Sequence, residues 1–132
     1  MKSYKARTDA VGKEVSRSKK LDRCFALAKN IASNSPYGKI RHGALLVNYS
    51  SFGKRFRSPS RGHATVHAEL GCILGLPRDV TSGADLYVCR INRNGEFRFS
   101  KPCSMCHAAL KHVGVKRVYY TTNDNTVEMY KL

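Results

Sequence analysis

The sequence predicts an α/β domain in which helices pack on a central mixed sheet. Segments with helical periodicity alternate with short apolar segments of β character, in the order helix, two strands, helix, strand, helix, strand. A chain of 132 residues is long enough for one compact domain with a real core. The apolar and charged fractions, 42% and 25%, are ordinary for a globular protein, so we expect the chain to fold.

The first half of the chain predicts a helix followed by a strand and its hairpin partner. From Lys19 onward apolar residues recur at three- and four-residue spacing, and this pattern ends at residues 34–36, an Asn-Ser-Pro stretch. Residues 42–50 contain a short apolar run that predicts a buried strand, and residues 51–56 are its expected partner. Residues 57–65, which are basic and contain a proline and a glycine, are predicted to form a loop.

The second half of the chain predicts two helices that alternate with two strands. The predicted helices are residues 67–76 and 103–113, and the predicted strands are residues 84–91 and 115–120. Asn94 and Gly95 form a favoured tight-turn pair, and Gly114 stands where a helix C-cap is expected. The tail to Leu132 has no clear pattern.

The charge balance is strongly basic. The formal net charge is +15 and the sequence pI is about 10.0, which favours polyanionic partners such as nucleotides, nucleic acid or anionic lipid. The plainer interpretation is a lysine-rich, solvated surface that serves solubility. Because no basic amphipathic helix stands out, lipid is the weakest of the three candidates, and we expect no membrane partner.

The N-terminal residues differ in composition from the rest. Residues 1–18 are polar and basic with few apolar residues, so we predict a flexible basic arm before a domain at residues 19–132. The chain has neither an apolar run of membrane-spanning length nor the apolar core of a signal peptide. We therefore expect an intracellular, cytoplasmic protein.

The five cysteines predict reduced thiols rather than a disulfide framework, because their number is odd and secretory features are lacking. Cys24 and Cys72 fall on apolar helix faces and Cys89 lies within a strand, so these three are expected to be small buried hydrophobes. Cys103 and Cys106 differ because they stand three residues apart at the start of a predicted helix. That spacing puts both side chains on one helix face.

A Cys-x-x-Cys pair alone is compatible with a redox pair, half of a zinc finger or chance. The presence of His67 and Glu69 at the start of another helix favours a zinc site formed by His67, Cys103 and Cys106. Three protein ligands leave the fourth tetrahedral position for water, which is typical of a catalytic zinc, and Glu69 is placed to exchange protons with that water. A fourth protein ligand would make the site purely structural, and the candidates are His63, Cys72, Cys89 and His107.

His67-Ala68-Glu69 followed by the Pro-Cys-Ser-Met-Cys stretch at residues 102–106 resembles the signature of the cytidine and deoxycytidylate deaminase superfamily. The resemblance implies a cytidine deaminase-like three-layer sandwich with a five-stranded mixed sheet. It also implies a Zn²⁺ cofactor, with Glu69 as the catalytic proton shuttle, and a homo-oligomer. The reaction that it implies is hydrolytic deamination at C4 of cytosine or C6 of adenine.

The same resemblance suggests how a base and a sugar would be bound. The backbone around Ala68 and the carbonyl near Ser100 are expected to orient the edge of the base. Many members of the family have a sugar-binding Asn shortly before the His-x-Glu helix, and here the nearest upstream candidate is Asn48. The basic loop that contains Arg57 and Arg61 is interpreted either as a phosphate clamp or strand-guiding groove, or as a solvated loop.

The strand that follows Gly114 at once resembles the deoxycytidylate and tRNA adenosine deaminase branch, in which the last strands lie parallel. We therefore expect a small-molecule nucleotide substrate, with cytosine in a (deoxy)cytidine nucleotide such as dCMP preferred. One alternative is a base within single-stranded DNA or tRNA, because a net charge of +15 exceeds what one phosphate group needs. A second alternative is a non-catalytic, zinc-stabilised nucleic-acid-binding module.

Overall fold

The computed structural model describes residues 12–34, 41–48, 56–61 and 67–132. The helices of this part are α1 (Lys19–Ser33), α2 (Ala68–Ile73), α3 (Arg78–Thr81) and α4 (Ser104–His112). The strands are β1 (Lys13–Glu14), β2 (Arg41–Asn48), β3 (Phe56–Arg61), β4 (Asp85–Ile91), β5 (Phe97–Arg98), β6 (Arg117–Thr121) and β7 (Val127–Lys131). None of the described helices has the length and apolar character that crossing a membrane requires.

The strands form one mixed sheet, which confirms the predicted α/β class. The order is β1-β7-β6-β4-β2-β3, and β5 pairs with β4 beside this path. β4 and β6 are parallel, whereas the other neighbouring strands are antiparallel. The described sheet has seven strands instead of the expected five, and two of them, β1 and β5, are only 2 residues long.

Helices cover both faces of the sheet and give three layers. On one face α1 packs against the odd-numbered residues of β2 and β4, such as Leu45 and Tyr87. On the other face α2 and α4 pack against the even-numbered residues, such as Leu46 and Val88. Both strands are therefore buried on two sides, which explains why their sequences are almost continuously apolar.

Helix α1 confirms the predicted amphipathic helix. It begins at its N-cap Ser18, whose hydroxyl oxygen accepts a hydrogen bond from the Leu21 backbone N–H at 3.1 Å. The helix lies very close to the sheet at Gly43, where a Cβ would collide with the backbone of Ala28 and Ala32. Glycine is therefore required at this position of β2 by the close approach of two backbones.

Two boundaries differ from the sequence-based prediction. The predicted loop at residues 57–65 contains most of β3, which pairs with β2 and includes Pro59 opposite Leu45. β3 is the last strand at its side of the described sheet, and an edge strand tolerates a residue that lacks an N–H. The helix predicted for residues 67–76 ends at Ile73, and a separate short helix, α3, follows Pro77.

Part of the predicted arm belongs to the sheet. Lys13 and Glu14 form β1 and pair with Met129 and Glu128 of β7. The Val15 backbone N–H continues this pairing by donating to the Val127 carbonyl at 2.9 Å. Residues 1–11 of the predicted arm lie outside the described residues.

The last two strands correct an expectation taken from the deoxycytidylate and tRNA adenosine deaminase branch. That resemblance implied parallel last strands, but β6 and β7 are antiparallel, with Thr121 opposite Val127. The connection spans only residues 122–126 and is closed by a hydrogen bond between the Thr122 and Thr126 hydroxyl groups at 2.7 Å. A parallel arrangement would need a crossover of roughly a dozen residues or more.

Candidate metal centre and active site

The topology brings the starts of α2 and α4 to one end of the sheet. The two helices contact each other. His67 is the N-cap of α2 and Cys103 is the N-cap of α4, and both have extended backbone angles. Neither side chain makes a capping hydrogen bond. Both side chains can therefore act as metal ligands in the space between the two helix starts.

The segment that leads into α4 is tied to the sheet by Ser100. Its buried hydroxyl group lies 3.0 Å from the Val88 carbonyl of β4 and accepts the Thr121 backbone N–H of β6 at 2.8 Å. Because Ser100 stands just before the Pro-Cys stretch, these contacts fix where Cys103 begins α4. Hydrogen bonds to β4 and to β6 thus hold the segment that leads into α4.

Three ligand atoms converge between the helix ends. Nδ1 of His67 lies 3.2 Å from Sγ of Cys106 and 3.8 Å from Sγ of Cys103. All three atoms lie within 4.8 Å of one another. A tetrahedral zinc with a nitrogen at about 2.1 Å and a sulfur at about 2.3 Å separates these two ligands by about 3.6 Å. The spacing and the donor types therefore fit Zn²⁺.

Among the described residues the cluster has three members, His67, Cys103 and Cys106. Three candidates for a fourth ligand are engaged elsewhere. Cys72 lies in the core between α2 and the sheet, and Cys89 lies on the opposite face with α1. The His107 side chain is buried, with Nδ1 3.3 Å from the Tyr130 hydroxyl group. The fourth candidate, His63, lies outside the described residues.

Glu69 lies in the first turn of α2 and is only 7% exposed. Burial raises the pKa of its carboxyl group, while a hydrogen bond from its own backbone N–H and the positive charge of His67 act in the opposite direction. Its negative charge in turn contributes to raising the pKa values of Cys106 and Tyr130. The carboxyl group is thus a buried neighbour of the ligand cluster without being part of it.

The surroundings of Cys106 oppose ionisation of its thiol in the absence of a cation. Burial is the main cause that raises the pKa of its thiol, followed by the nearby charges of Glu69 and Cys103. A thiol in such surroundings gives up its proton to a strongly bound cation such as zinc, which holds the sulfur as thiolate. The start of α4 adds a favourable positive end of a helix dipole.

Residues 18–122 match the family described as the cytidine and deoxycytidylate deaminase zinc-binding region. The chain belongs to this family. The matched segment contains all three cluster residues and Glu69, so the zinc-binding character of the family and the geometry of the cluster agree. No curated protein sequence matches the chain.

Two cytidine deaminases are among the solved structures that are similar to this chain. The cytidine deaminase from Mycobacterium leprae is 21% identical, with a TM-score of 0.48, 83% of this chain covered and 92% of that chain covered. The cytidine deaminase from Mycobacterium tuberculosis is 16% identical, with a TM-score of 0.48, 83% of this chain covered and 89% of that chain covered.

The predicted base-orienting segments lie at the metal centre. Ala68 is fully buried and follows His67 as the first residue of α2, where a helix leaves its backbone N–H without an intrahelical partner. Ser100 stands close to the start of α4, and its side chain is used by the sheet contacts described above. The predicted roles of both segments in orienting a base stay predictions.

Asn48 is not at the candidate site. It is the last residue of β2, at the end of the sheet where β4 begins, because Val47 pairs with Asp85. Its side chain is 1% exposed, and its amide nitrogen donates to the Val80 carbonyl at 2.6 Å. The metal centre lies at the other end of the sheet, where β4 ends. The expected sugar contact is therefore corrected to a structural contact with α3.

The two arginines of the predicted basic loop are separated by the register of β3. Arg57 pairs with Val47, at the same far end as Asn48, so its backbone is not near the metal centre. Arg61 pairs with Gly43, near the end of the sheet that holds the site. Because β3 is extended, the two backbone positions lie near opposite ends of the strand.

The structure adds residues that the sequence reasoning did not select. His42 lies near the start of β2, at the end of the sheet that holds the metal centre. Arg90 of β4 is its Cα partner. Tyr130 of the C-terminal strand contacts His107 behind the ligands. Arg90 could have been detected, since a charged residue in step with Leu86 and Val88 breaks the apolar alternation of a buried strand.

Proposed function

We propose that this chain catalyses zinc-dependent hydrolytic deamination of a nucleobase, with cytosine in a (deoxy)cytidine nucleotide such as dCMP as its substrate. The observation that carries the proposal is the cluster of three ligand atoms within 4.8 Å of one another beside the buried carboxyl group of Glu69. A cluster with three protein ligands is typical of a catalytic zinc. Membership of the deaminase family gives the reaction class.

In this proposal His67, Cys103 and Cys106 hold the zinc. The bound metal supplies a water molecule that is nucleophilic near neutral pH. Glu69 accepts a proton from the attacking water and delivers it to the ring nitrogen beside the attacked carbon. The water oxygen bonds to C4 of cytosine, Glu69 passes the second proton of that water to the amino nitrogen, the bond from C4 to this nitrogen breaks, and ammonia leaves.

The substrate of this site is a separate question from its chemistry. The overall charge of +15 and the positive charge of Arg90 at the site end of the sheet favour an anionic substrate over a neutral nucleoside. The phosphate group of a nucleotide provides the negative charge that such a site favours.

A second candidate is deamination of a base within single-stranded DNA or tRNA. Phe99 and Met105 are 47% and 58% exposed and flank Cys103 along the chain. An exposed aromatic side chain such as Phe99 beside a site in a strongly basic protein is suited to stacking on a base of a single strand. This candidate requires an unstacked base, so duplex should be a poor substrate.

An ammonia-release assay with zinc-loaded protein tests these functions together. The panel contains dCMP, CMP, deoxycytidine, cytidine, adenosine, a single-stranded oligodeoxynucleotide and tRNA. Release from dCMP or CMP at low salt supports the nucleotide proposal, whereas release from only the oligonucleotide or tRNA supports the second candidate. A zinc-containing protein that releases ammonia from none of them, while binding nucleic acid, would instead be a non-catalytic module.

A further inference from the structure

Two basic side chains lie next to each other on the sheet beside the metal centre. His42 and Arg90 are Cα partners in the antiparallel pairing of β2 with β4, so their side chains are on the same face. That face is the one covered by α2 and α4, because Ala44 and Val88, two residues along each strand, belong to its core cluster.

Arg90 has an unsatisfied donor at this place. Its Nε atom is buried and has no hydrogen-bond partner within the described part of the chain. A buried donor without an acceptor is unfavourable, so such an atom calls for an explanation. A guanidinium group is suited to phosphate because its planar set of N–H donors matches two phosphate oxygens.

His42 connects this arginine with the metal centre. Its pKa is lowered first by burial and then by the positive charges of Arg90 and of the ligand His67. The imidazole group is therefore close enough to both residues for their charges to act on it. The pair consequently runs from the charged Arg90 to the His42 imidazole, which its lowered pKa leaves uncharged at neutral pH and which lies in the neighbourhood of the zinc ligand His67.

We propose that His42 and Arg90 form an anion subsite that binds a phosphate group of the substrate, an inference that rests on the proposed function. Arg90 supplies the charged fork and His42 a neighbouring donor. The next basic residue of the row, Arg98, pairs with Arg90 across β4 and β5 but already has Glu96 at 3.6 Å. The subsite is separate from the phosphate clamp or strand-guiding groove for which Arg57 and Arg61 are candidates.

Binding of the product nucleotide tests the subsite without requiring turnover. Isothermal titration of the zinc-loaded protein compares dUMP, deoxyuridine and a short single-stranded oligodeoxynucleotide ending in uracil. The wild type should bind dUMP more tightly than deoxyuridine by about 10- to 100-fold, the range expected for hydrogen bonds between charged groups. Arg90→Gln should remove most of this difference, Arg90→Lys should keep part of it, and His42→Gln should reduce it.

Arg93→Gln is the matched control, because Arg93 lies exposed in the turn between β4 and β5 and its loss changes the net charge equally. It should retain the wild-type preference for dUMP. Zinc content and thermal unfolding of each variant identify misfolded protein, and Arg90→Lys preserves the test if Arg90→Gln does not fold.

The outcomes separate the two proposals. A dUMP preference that depends on Arg90 supports the subsite even if no deamination is found, in which case the proposed function alone fails. A preference for the oligonucleotide that Arg90→Gln removes identifies a phosphodiester as the bound group. Equal affinity of the wild type for dUMP and deoxyuridine, or a preference that Arg61→Gln removes and Arg90→Gln leaves intact, would overturn the subsite.

Discussion

Sγ of Cys106 lies 3.2 Å from Nδ1 of His67, although the two residues are 39 positions apart in the chain. The contact exists because α2 and α4 both begin at the end of the sheet where β4 stops. The ligand cluster is therefore a property of the fold, and the carboxyl group of Glu69 enters the site on the same turn that carries His67.

Exchange of Glu69 for glutamine should separate catalysis from metal binding. Glu69→Gln keeps the shape of the side chain but removes its proton transfer, so activity on the best substrate of the panel should fall by about 10²- to 10⁴-fold. Zinc content, measured by atomic emission after dialysis, should stay at one ion per chain, because Glu69 is outside the ligand cluster. His67→Ala should lose both the zinc and the activity.

Glu96→Gln is the control for this experiment, because Glu96 lies exposed in the turn between β4 and β5. It should leave both zinc content and activity at wild-type levels. Equal turnover by the wild type and Glu69→Gln would remove Glu69 from the mechanism.

The metal centre could be predicted from the sequence because its residues stand at short spacing in two pairs along the chain. His67 and Glu69 fall within one helical turn, and so do Cys103 and Cys106, so no knowledge of the fold was needed to group them in pairs. Joining the two pairs depended on the resemblance to a known family. The alternation of apolar residues likewise predicted α1 and the central strands.

The distance of Asn48 from the metal centre could not be predicted from spacing along the chain. Asn48 precedes His67 by less than 20 residues, yet an antiparallel strand reverses the direction of the chain and puts the end of β2 far from the beginning of α2. Arg57 and Arg61 are separated by the extended backbone of β3, in which they pair with Val47 and Gly43. The pairing of His42 with Arg90 depends on the register between two strands, and no local pattern in one sequence encodes that register.

Asn48→Ala should therefore act on stability and not on substrate binding. Its amide nitrogen donates to the Val80 carbonyl at 2.6 Å, and the loss of that donor leaves a carbonyl of α3 without this partner. The free energy of unfolding should fall by about 1–3 kcal/mol in urea titrations. KM for the best substrate, measured below the unfolding transition, should match the wild type. A large rise in KM with unchanged stability would restore the sugar-binding interpretation.

Gly43→Ala should destabilise the protein through the contact between α1 and β2. The added Cβ would collide with the backbone of Ala28 and Ala32, which cannot move without displacing the helix. Because this is overpacking against backbone, we expect a loss of about 3 kcal/mol, the upper end of the usual range. Gly75→Ala is the control, since a Cβ there meets nothing within 4 Å and only the left-handed backbone angle of +74° opposes it. That control should lose about 1 kcal/mol.

Asp85 predicts a pH dependence of stability that can be isolated by comparison with Asp85→Asn. Burial raises the pKa of this carboxyl group, and Arg117, whose Nε lies 3.2 Å from Oδ1, lowers it without reversing the net shift. The folded chain therefore binds this proton more tightly than the unfolded chain. The contribution of Asp85 to the free energy of unfolding is largest below about pH 4, the ordinary value for aspartate, and is lost as the pH rises through the folded-state pKa.

The difference in unfolding free energy, wild type minus Asp85→Asn, should accordingly decrease as the pH rises above about 4. Taking the difference cancels the protonation of the zinc ligands and the repulsion within a strongly basic protein, since both chains share them. Arg117→Gln removes the positive charge that lowers the pKa of Asp85. The difference in unfolding free energy, Arg117→Gln minus Arg117→Gln/Asp85→Asn, should therefore decrease more than the difference measured with Arg117 present. Its decrease should also extend to higher pH. A difference that increases with pH would mean that the Arg117 ion pair, and not burial, decides the ionisation of Asp85.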